Sequence, residues 1–234
     1  IDSNIISLAY DIRNQSVNKD IFNVEDDLTF IECRDNEVIP NICEICNTYK
    51  DLNYKKFQIL APMYKGLNGI DAINKNVQDI FNSKSRTKKE KVIGEFNFRE
   101  DDKVIQLTNM PDDNVYNGDI GLIERIQTSP KIELHIDFDG NLVKYTPTNF
   151  NNFRSAYSIS IHKAQGSEFD VVVIPIVNAY NKMLYQKLIY TGVTRAKKKL
   201  YIVGDFSALI RASRNTSDDI RRTTIKNYLI NGIV

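Results

Sequence analysis

Two short segments of the chain are almost entirely apolar: FQILAP at 57–62 and VVVIPI at 171–176. Strands of a parallel sheet are covered by helices on both faces and therefore read as continuous apolar runs. Segments with helical periodicity lie between such runs, for example VIPNICEICNTY at 38–49 and GIDAINKNVQDIF at 69–81. This alternation of strands and helices predicts an α/β fold built on a parallel sheet.

The pattern changes between residues 92 and 153, where short strand-like segments replace the helices: KVIQL, GLIERI, IELHIDF and LVKYT. Asn-Gly at 117–118 and Asp-Gly at 139–140 favour tight hairpins between such strands. About sixty residues of this kind predict a small β-barrel inserted into the α/β domain. The expected boundaries give a first part of the α/β domain at 1–91, the barrel at 92–153 and a second part of the α/β domain at 154–234.

Periodic apolar residues also predict helices outside the insert. One covers about Ser3–Ile12, ahead of the predicted strand LTFIEC, and another is centred on Met183–Tyr190, ahead of the strand LYIVGD. Two further helical segments are expected after that strand, at the C-terminal end of the sequence.

The composition places loose limits on function. The formal net charge is +1, so any binding of nucleic acid must depend on a local cluster of charge. No apolar run approaches the roughly 20 residues that span a bilayer, and the N-terminal residues lack the basic region of a signal peptide. We therefore expect no membrane partner. Because the sequence has no initiator Met, we expect it to be a piece of a longer protein.

The three cysteines are Cys33, Cys43 and Cys46. The pair at 43 and 46 has the spacing of a zinc or redox motif, but no second pair accompanies it, and both histidines are distant in sequence. The pair also falls within a predicted helix, where cysteine packs readily in a core. We interpret these residues as free thiols, which fits a reducing cytoplasm.

A polar loop in the stretch ISIHKAQGSEFDVVVIPI separates two predicted strands. Ligands of open α/β sheets bind where strands end in such loops. Side-chain donors and a glycine suit phosphate oxygens, and a carboxylate can accept from a ribose hydroxyl. The alternative is an ordinary solvated turn, and spacing alone leaves both open. The polar residues of the loop are Ser160, His162, Lys163, Gln165, Gly166 and Glu168.

A second candidate is Arg195 in LIYTGVTRAKKKLYIVGD, near the end of a predicted helix and just before a predicted strand. Arginine can clamp a phosphate with a rigid fork, which suits charge stabilisation during phosphoryl transfer. The alternative is a basic helix C-terminus that needs no ligand, because cations are favourable there. Spacing again leaves both open.

Several catalytic motifs are missing from the sequence. It contains no Gly-Lys dipeptide, so the phosphate-binding loop G-x-x-x-x-G-K-[ST] is absent. It also has no Gly-x-Ser-x-Gly motif, and no apolar strand ends in Asp-Glu. If the chain handles a nucleoside triphosphate, it supplies only part of the site.

Three stretches, at 58–78, 157–174 and 188–205, resemble motifs IV, V and VI of superfamily 1 DNA helicases, in their expected order. Their detail resembles the RecD/TraA branch, which includes the exodeoxyribonuclease V alpha subunit. The stretch REDDKVIQLTN and the strands after it resemble the SH3-like domain that this branch inserts, conventionally called 2B. The resemblance covers residues from about 3 to 230.

The resemblance implies that the α/β part is the second RecA-like motor domain, 2A, of an ATP-dependent helicase in DNA recombination and repair. ATP and Mg²⁺ would be bound mainly by an N-terminal motor domain of the same protein, which this sequence lacks. Relatives move 5′ to 3′ on single-stranded DNA. The chain alone is therefore expected to hydrolyse no ATP.

The resemblance also implies roles for single residues. Arg195 matches the motif VI arginine finger, and Gly166 and Glu168 match motif V positions that face the nucleotide. Lys65 stands at the motif IV cation position, where relatives often have Arg, so the bidentate geometry of its phosphate contact is lost.

Three residues match the DNA side of motif V: Ser160, where relatives have Thr, His162 and Lys163. Tyr116 or Tyr145 in the insert could stack on bases. For each tyrosine the alternative is ordinary packing within the barrel.

Two other functions remain open at this point. The chain could be a module that binds nucleic acid or protein on a degenerate motor scaffold. It could also belong to a subunit of a multi-subunit exonuclease, in which partner subunits carry the nuclease.

Overall fold

The computed structural model describes residues 3–23, 27–180 and 183–216. Within these residues the α-helices are α1 (Asn4–Asn14), α2 (Val38–Tyr49), α3 (Ile70–Phe81), α4 (Gln186–Val193) and α5 (Phe206–Arg214). The strands are β1 (Leu28–Glu32), β2 (Phe57–Ala61), β3 (Glu90–Ile93), β4 (Phe96–Arg99), β5 (Lys103–Gln106), β6 (Ile120–Gln127), β7 (Glu133–Phe138), β8 (Asn141–Tyr145), β9 (Phe153–Ser155), β10 (Ser158–Ser160), β11 (Phe169–Ile176) and β12 (Ala196–Gly204). No helix in the described parts of the chain is long and apolar enough to cross a membrane.

A five-stranded parallel sheet in the order β1-β12-β11-β2-β10 forms the centre of the α/β part. Strand β2 is buried along its whole length, and β11 is buried at every position except Asp170. Helices α1 to α5 bury apolar faces in the same core. The predicted α/β fold with a parallel sheet is confirmed. The two apolar runs on which that prediction rested are the buried strands β2 and β11.

Strands β3 to β9 form the inserted β-domain. Five of them make an antiparallel sheet in the order β8-β7-β6-β5-β9, and β3 pairs with β4 as a separate hairpin. This domain has its own core, which includes Phe98, Val104, Ile136 and Phe153. The predicted change from α/β to all-β structure is therefore present, and the hairpin of β3 and β4, which the strand prediction omitted, precedes its main sheet.

The two dipeptides expected to form hairpins have different structures. Asp139 and Gly140 both have positive φ, at 58° and 85°, and they join β7 directly to β8 as a tight turn. Gly118 also has positive φ, but it lies within the long connection from β5 to β6. An Asn-Gly pair favours a turn locally, whereas the ends of the strands decide whether that turn closes a hairpin.

Most predicted helices and strands are observed, with shifted ends. The helix expected at Met183–Tyr190 is α4, which begins later, at Gln186. The predicted strand LYIVGD corresponds to the second half of β12, which ends at Gly204. This strand begins earlier than predicted, at Ala196, and the three lysines that follow Ala196 are not buried. Of the two helices expected after it, α5 is observed, and the second falls outside the described residues.

Helix α3 has a second, polar face that contacts the neighbouring strands. Asn74, Gln78 and Asn82 follow one another at intervals of four residues and are all buried. Asn74 exchanges two hydrogen bonds with the backbone of Ser158, because its Nδ2 donates to the carbonyl at 3.0 Å and its Oδ1 accepts from the N–H at 2.8 Å. This contact holds the edge strand β10 against the helix.

A fully buried carboxylate, Asp102, lies where the inserted β-domain meets the α/β part. It accepts hydrogen bonds of 2.7 to 2.8 Å from Gln78, Asn82, Tyr157 and the backbone N–H of Arg99. Burial raises the pKa of Asp102, and these four hydrogen bonds oppose that shift. Donors from both parts of the chain therefore converge on one side chain.

The next residue, Lys103, makes a second buried contact between the two parts. Its ammonium donates to the carbonyl of Tyr54 at 2.7 Å, the carbonyl of Phe57 at 3.0 Å and Oε1 of Gln58 at 2.8 Å. Burial lowers the pKa of Lys103 to about 7. Together Asp102 and Lys103 attach β5 to β2, α3 and the segment before β10; we call this set of contacts the polar joint.

The polar joint predicts a large loss of stability on replacement of its carboxylate. Asp102→Ala leaves several buried donors without an acceptor, and each costs about 1–3 kcal/mol. We expect the free energy of unfolding in urea to fall by about 3 kcal/mol or more. Asp112→Ala, at an exposed position of the same domain, should change it by less than about 0.5 kcal/mol. Equal effects of the two substitutions would contradict the role of the joint.

Candidate functional site

The segment 161–168 crosses from one end of the parallel sheet to the other. It leaves the carboxyl end of β10 and enters the amino end of β11, and β2 lies between these two strands. Its first half is a tight turn, in which the N–H of Ala164 donates to the carbonyl of Ser160 at 3.2 Å. We call this segment the crossing loop. Its first residues therefore lie near the carboxyl ends of the strands and its last residues near their amino ends. We call these two sides of the sheet the carboxyl edge and the amino edge.

Arg195 lies at the amino edge, one residue before β12, and its guanidinium contacts the crossing loop. Nη1 donates to the carbonyl of Ser167 at 3.0 Å, while Nε donates to the carbonyl of Thr191 at 3.1 Å and Nη2 to Oγ1 of Thr194 at 3.1 Å. These hydrogen bonds hold the guanidinium of Arg195 in one orientation and use three of its five N–H donors. The remaining donors make no hydrogen bond to the residues that the structure describes.

Glu168 is beside this arginine because β11 and β12 are neighbours. The N–H of Phe169 donates to the carbonyl of Arg195 at 2.9 Å, which aligns the two strand starts. The Glu168 carboxylate forms an ion pair with Lys197 at 2.8 Å. The hydrogen bond from Lys197 lowers the pKa of Glu168, with smaller contributions from the charges of Lys197 and Arg195, and raises the pKa of Lys197 in turn.

Gly166 lies two residues before Glu168 and has a φ of 90°, a backbone conformation that residues other than glycine rarely adopt. An added Cβ would meet no atom within 4 Å, so backbone conformation rather than space requires the glycine. The open surroundings leave the backbone accessible to a ligand. The structure thus brings three predicted nucleotide-binding residues together: Gly166, Glu168 and Arg195.

The predicted DNA-binding residues lie at the other end of the crossing loop. His162 is exposed, and its Nε2 lies 3.2 Å from the hydroxyl of Tyr185. Lys163 Nζ contacts Oδ1 of Asn117 in the inserted β-domain. Ser160 is only 8% exposed, and its hydroxyl accepts from the N–H of Lys163 at 3.3 Å. Ser160 therefore shapes the turn that presents the other two side chains.

Lys65 follows the carboxyl end of β2 and is separated from Arg195 by the length of the strands. Its ammonium lies 3.2 Å from Asp71 and 3.5 Å from Glu95, and these two carboxylates raise its pKa. The structure places Lys65 with Lys163, on the edge predicted to face DNA, and does not bring it into the group around Arg195.

The two tyrosines of the insert differ in accessibility. Tyr145 is fully buried and donates a hydrogen bond of 2.6 Å to Oε1 of Gln106, so it packs in the core and presents no face to a base. Tyr116 is 47% exposed, and its stacking role stays a prediction.

All three cysteines are free thiols, and burial raises the pKa of each.

Two residues near the site were not identified from the sequence as contacts. Lys197 belongs to the run of three lysines that follows Arg195 and Ala196, and nothing in the sequence distinguishes Tyr185. The pairing of Lys197 with Glu168 follows from the register of β11 and β12, in which Phe169 lies opposite Ala196. A register of this kind cannot be read from spacing, although a run of three consecutive lysines at the start of a strand was an available signal.

The ion pair of Glu168 predicts a selective change in acidity. In Lys197→Met, the pKa of Glu168 should rise towards its ordinary value, because the hydrogen bond that lowers it is lost. Lys198→Met is the matched control, since Lys198 pairs with Asp170 and lowers the pKa of that residue instead. Carboxylate titration by NMR distinguishes the two variants. An unchanged pKa of Glu168 in Lys197→Met would exclude this pairing in solution.

Comparison with known families relates both parts of the chain to helicases. The UvrD-like helicase C-terminal domain family matches residues 155–203, a range that contains the crossing loop and Arg195. The family of the SH3 domain of ATP-dependent RecD-like DNA helicases matches residues 73–138, which begin within α3 and end at the close of β7.

Curated relatives match over most of the chain. The ATP-dependent RecD2 DNA helicase of Deinococcus radiodurans is 34% identical over 151 residues, which are 64% of this chain and 20% of that protein. The RecBCD enzyme subunit RecD of Buchnera aphidicola subsp. Acyrthosiphon pisum is 28% identical over 182 residues, which are 72% of this chain and 30% of that protein. The chain thus spans less than a third of the length of either relative.

Solved structures of Pif1 helicases share the fold. A Bacteroides Pif1 helicase in complex with ADP-AlF3 and ssDNA superposes with a TM-score of 0.53 and 15% identity, over 99% of this chain and 55% of the other. A structure of two coordinating Pif1 helicases at forked dsDNA gives a TM-score of 0.54 and 17% identity, over 99% and 53%. With the family matches and the RecD relatives, this fold confirms that the chain resembles the C-terminal region of RecD-like superfamily 1 DNA helicases, with a RecA-like sheet and an SH3-like insert.

Proposed function

We propose that the chain is the C-terminal motor half, domains 2A and 2B, of an ATP-dependent helicase that moves 5′ to 3′ along single-stranded DNA in recombination and repair. Its residues 1–91 and 154–234 are assigned to 2A and residues 92–153 to 2B. An N-terminal motor domain of the same protein would complete the ATP site.

The observation that carries this proposal is the arginine fork at the amino edge of the sheet. Arg195 is held by three hydrogen bonds and keeps further donors for an anion. A fork fixed before the ligand arrives suits an arginine finger, which stabilises charge that develops on the γ-phosphate. Gly166 and Glu168 lie beside it, and the resemblance assigns both of them to the same nucleotide.

Each residue of this half-site would act in a distinct way. Arg195 would approach the γ-phosphate from the side opposite the phosphate-binding loop. Glu168 would exchange part of its pairing with Lys197 for a ribose hydroxyl. As the resemblance implies, Mg²⁺ would be bound mainly by the other motor domain. Lys65 lies at the opposite edge of the sheet, so we do not include it in this half-site.

The crossing loop gives a physical route between nucleotide and DNA. Ser167 contacts Arg195 at one end, while Ser160, His162 and Lys163 lie at the other, where relatives are expected to contact DNA phosphates. A shift of the loop on closure of the ATP site would move its DNA-facing end. This gives a basis for coupling between hydrolysis and movement along the strand.

A second candidate is a role within a larger assembly. Several relatives are subunits of the RecBCD enzyme, so the full protein could act beside partner subunits that carry a nuclease. The motor residues would then keep the roles given above. Purification of the full-length protein with its bound partners distinguishes this case from a helicase that works alone.

The arginine finger is tested by Arg195→Ala in the full-length protein. We expect ATP turnover to fall by about 10³- to 10⁵-fold, the range in which such arginines act, while affinity for single-stranded DNA stays close to that of the wild type. Arg195→Lys should restore little activity, because it keeps the charge and loses the fork.

Arg211→Ala is the matched control for this measurement. Arg211 is also hydrogen-bonded within its own segment, to Oγ of Ser207 at 3.0 Å, but it lies on α5 away from the crossing loop. It should leave turnover unchanged. If Arg195→Ala retained more than half of normal activity, the assignment would be wrong, and a binding module on a motor scaffold would be favoured.

A further inference from the structure

A cavity of about 740 Å³ lies between the α/β part and the inserted β-domain. It is bounded by the start of α3 and by β10 on one side, and by the hairpin of β3 and β4 and the segment before β9 on the other. This volume is within the range of about 300–1,000 Å³ that small-molecule sites occupy. The polar joint holds its two walls together.

The interior of the cavity is apolar and partly aromatic. Two phenylalanines that line it are only half-buried, Phe96 on the hairpin and Phe150 before β9. Each contacts a buried ring, at centroid distances of 4.8 Å from Phe96 to Phe98 and 6.2 Å from Phe150 to Phe153. Half-buried aromatic rings with fixed neighbours are surfaces on which a flat base can stack.

The lining is predominantly basic where it is charged. Four basic residues stand against two acidic ones: Lys65, Lys75, Arg154 and Lys163, with Asp71 and Glu95. The guanidinium of Arg154 lies over the ring of Tyr64, 5.1 Å from its centroid, so an aromatic contact holds this cation at the site. A ligand that matches this lining has an anionic part and a flat, weakly polar part. A nucleotide has both.

Glu95, at the turn of the hairpin, forms an ion pair with one of these cations, Lys65. Its carboxylate lies 3.5 Å from the ammonium of Lys65, and both side chains are exposed. An exposed ion pair of this kind contributes little free energy, so a phosphate can replace the carboxylate at low cost. The hairpin turn therefore carries an acidic group that competes with the ligand for Lys65.

We propose that this cavity accepts one unpaired base of the bound DNA strand, with an adjacent phosphate at Lys65 and Lys163 in place of Glu95. The inference rests on the proposed function for the identity of the ligand, and it adds a specific subsite for a single base. It also gives Lys65 a role towards DNA, together with Lys163, which lines the same cavity. Base stacking at such a site tolerates any sequence, because every base has a flat face.

The test uses the 234-residue chain and oligothymidylates of about eight nucleotides, a length within the span of single-strand-binding domains. One abasic site replaces each position in turn, and fluorescence anisotropy gives the dissociation constants. We expect one position, or two adjacent ones, at which loss of the base weakens binding by about five- to hundred-fold, the range for one base stacked on an aromatic ring. Glu95→Gln should tighten binding of the intact strand.

Filling the cavity should remove this dependence on position. Ile93→Trp places a large ring at its hairpin wall, and the abasic and intact strands should then bind equally. Leu142→Trp, at an exposed site of the same domain that does not line the cavity, should behave as the wild type. Phe150→Leu is the second variant if the first does not fold, since it keeps apolar bulk and removes the ring.

Three outcomes separate the claims. Sensitivity at a defined position, lost on filling the cavity, supports the inference. Salt-dependent binding of the strand with no sensitive position overturns the base subsite and leaves the proposed function intact. Absence of binding at low salt overturns both the subsite and the assignment of DNA to this face.

Discussion

A buried carboxylate is at the centre of the contacts that join the two parts of this chain. Asp102 has no exposed surface, and its burial is tolerated because it accepts hydrogen bonds from four donors. These are the side chains of Gln78, Asn82 and Tyr157 and the backbone N–H of Arg99. Removal of such a group is costly, since the donors cannot turn to water. The orientation of the inserted β-domain follows from this contact and from Lys103. So does the cavity between the two parts, whose walls come from both of them.

The crossing loop is the second constraint. It begins beside β2 at one edge of the sheet and ends beside Arg195 at the other. In the proposed function, one short backbone segment would therefore connect the nucleotide site with the DNA site.

Much of this architecture could be predicted from the sequence, and the remainder could not for identifiable reasons. Buried parallel strands appear as continuous apolar runs, and Asp139-Gly140 requires the positive φ that it adopts. The hairpin of β3 and β4 was missed because its strands are half-buried and follow a basic stretch. The spacing of Asn74, Gln78 and Asn82 was visible, but polar residues on a helix usually face water. Strand order cannot be read from local pattern, so the separation of Lys65 from Arg195 emerged only in three dimensions.

We propose that the chain supplies one half of a nucleotide site. ATP hydrolysis by the purified 234-residue chain, measured with and without single-stranded DNA, tests this proposal. We expect no turnover above background in either condition, because the cradle for the phosphates would come from the other motor domain. Turnover that DNA stimulates and that Arg195→Ala removes would show a complete site within these residues and would exclude the proposal.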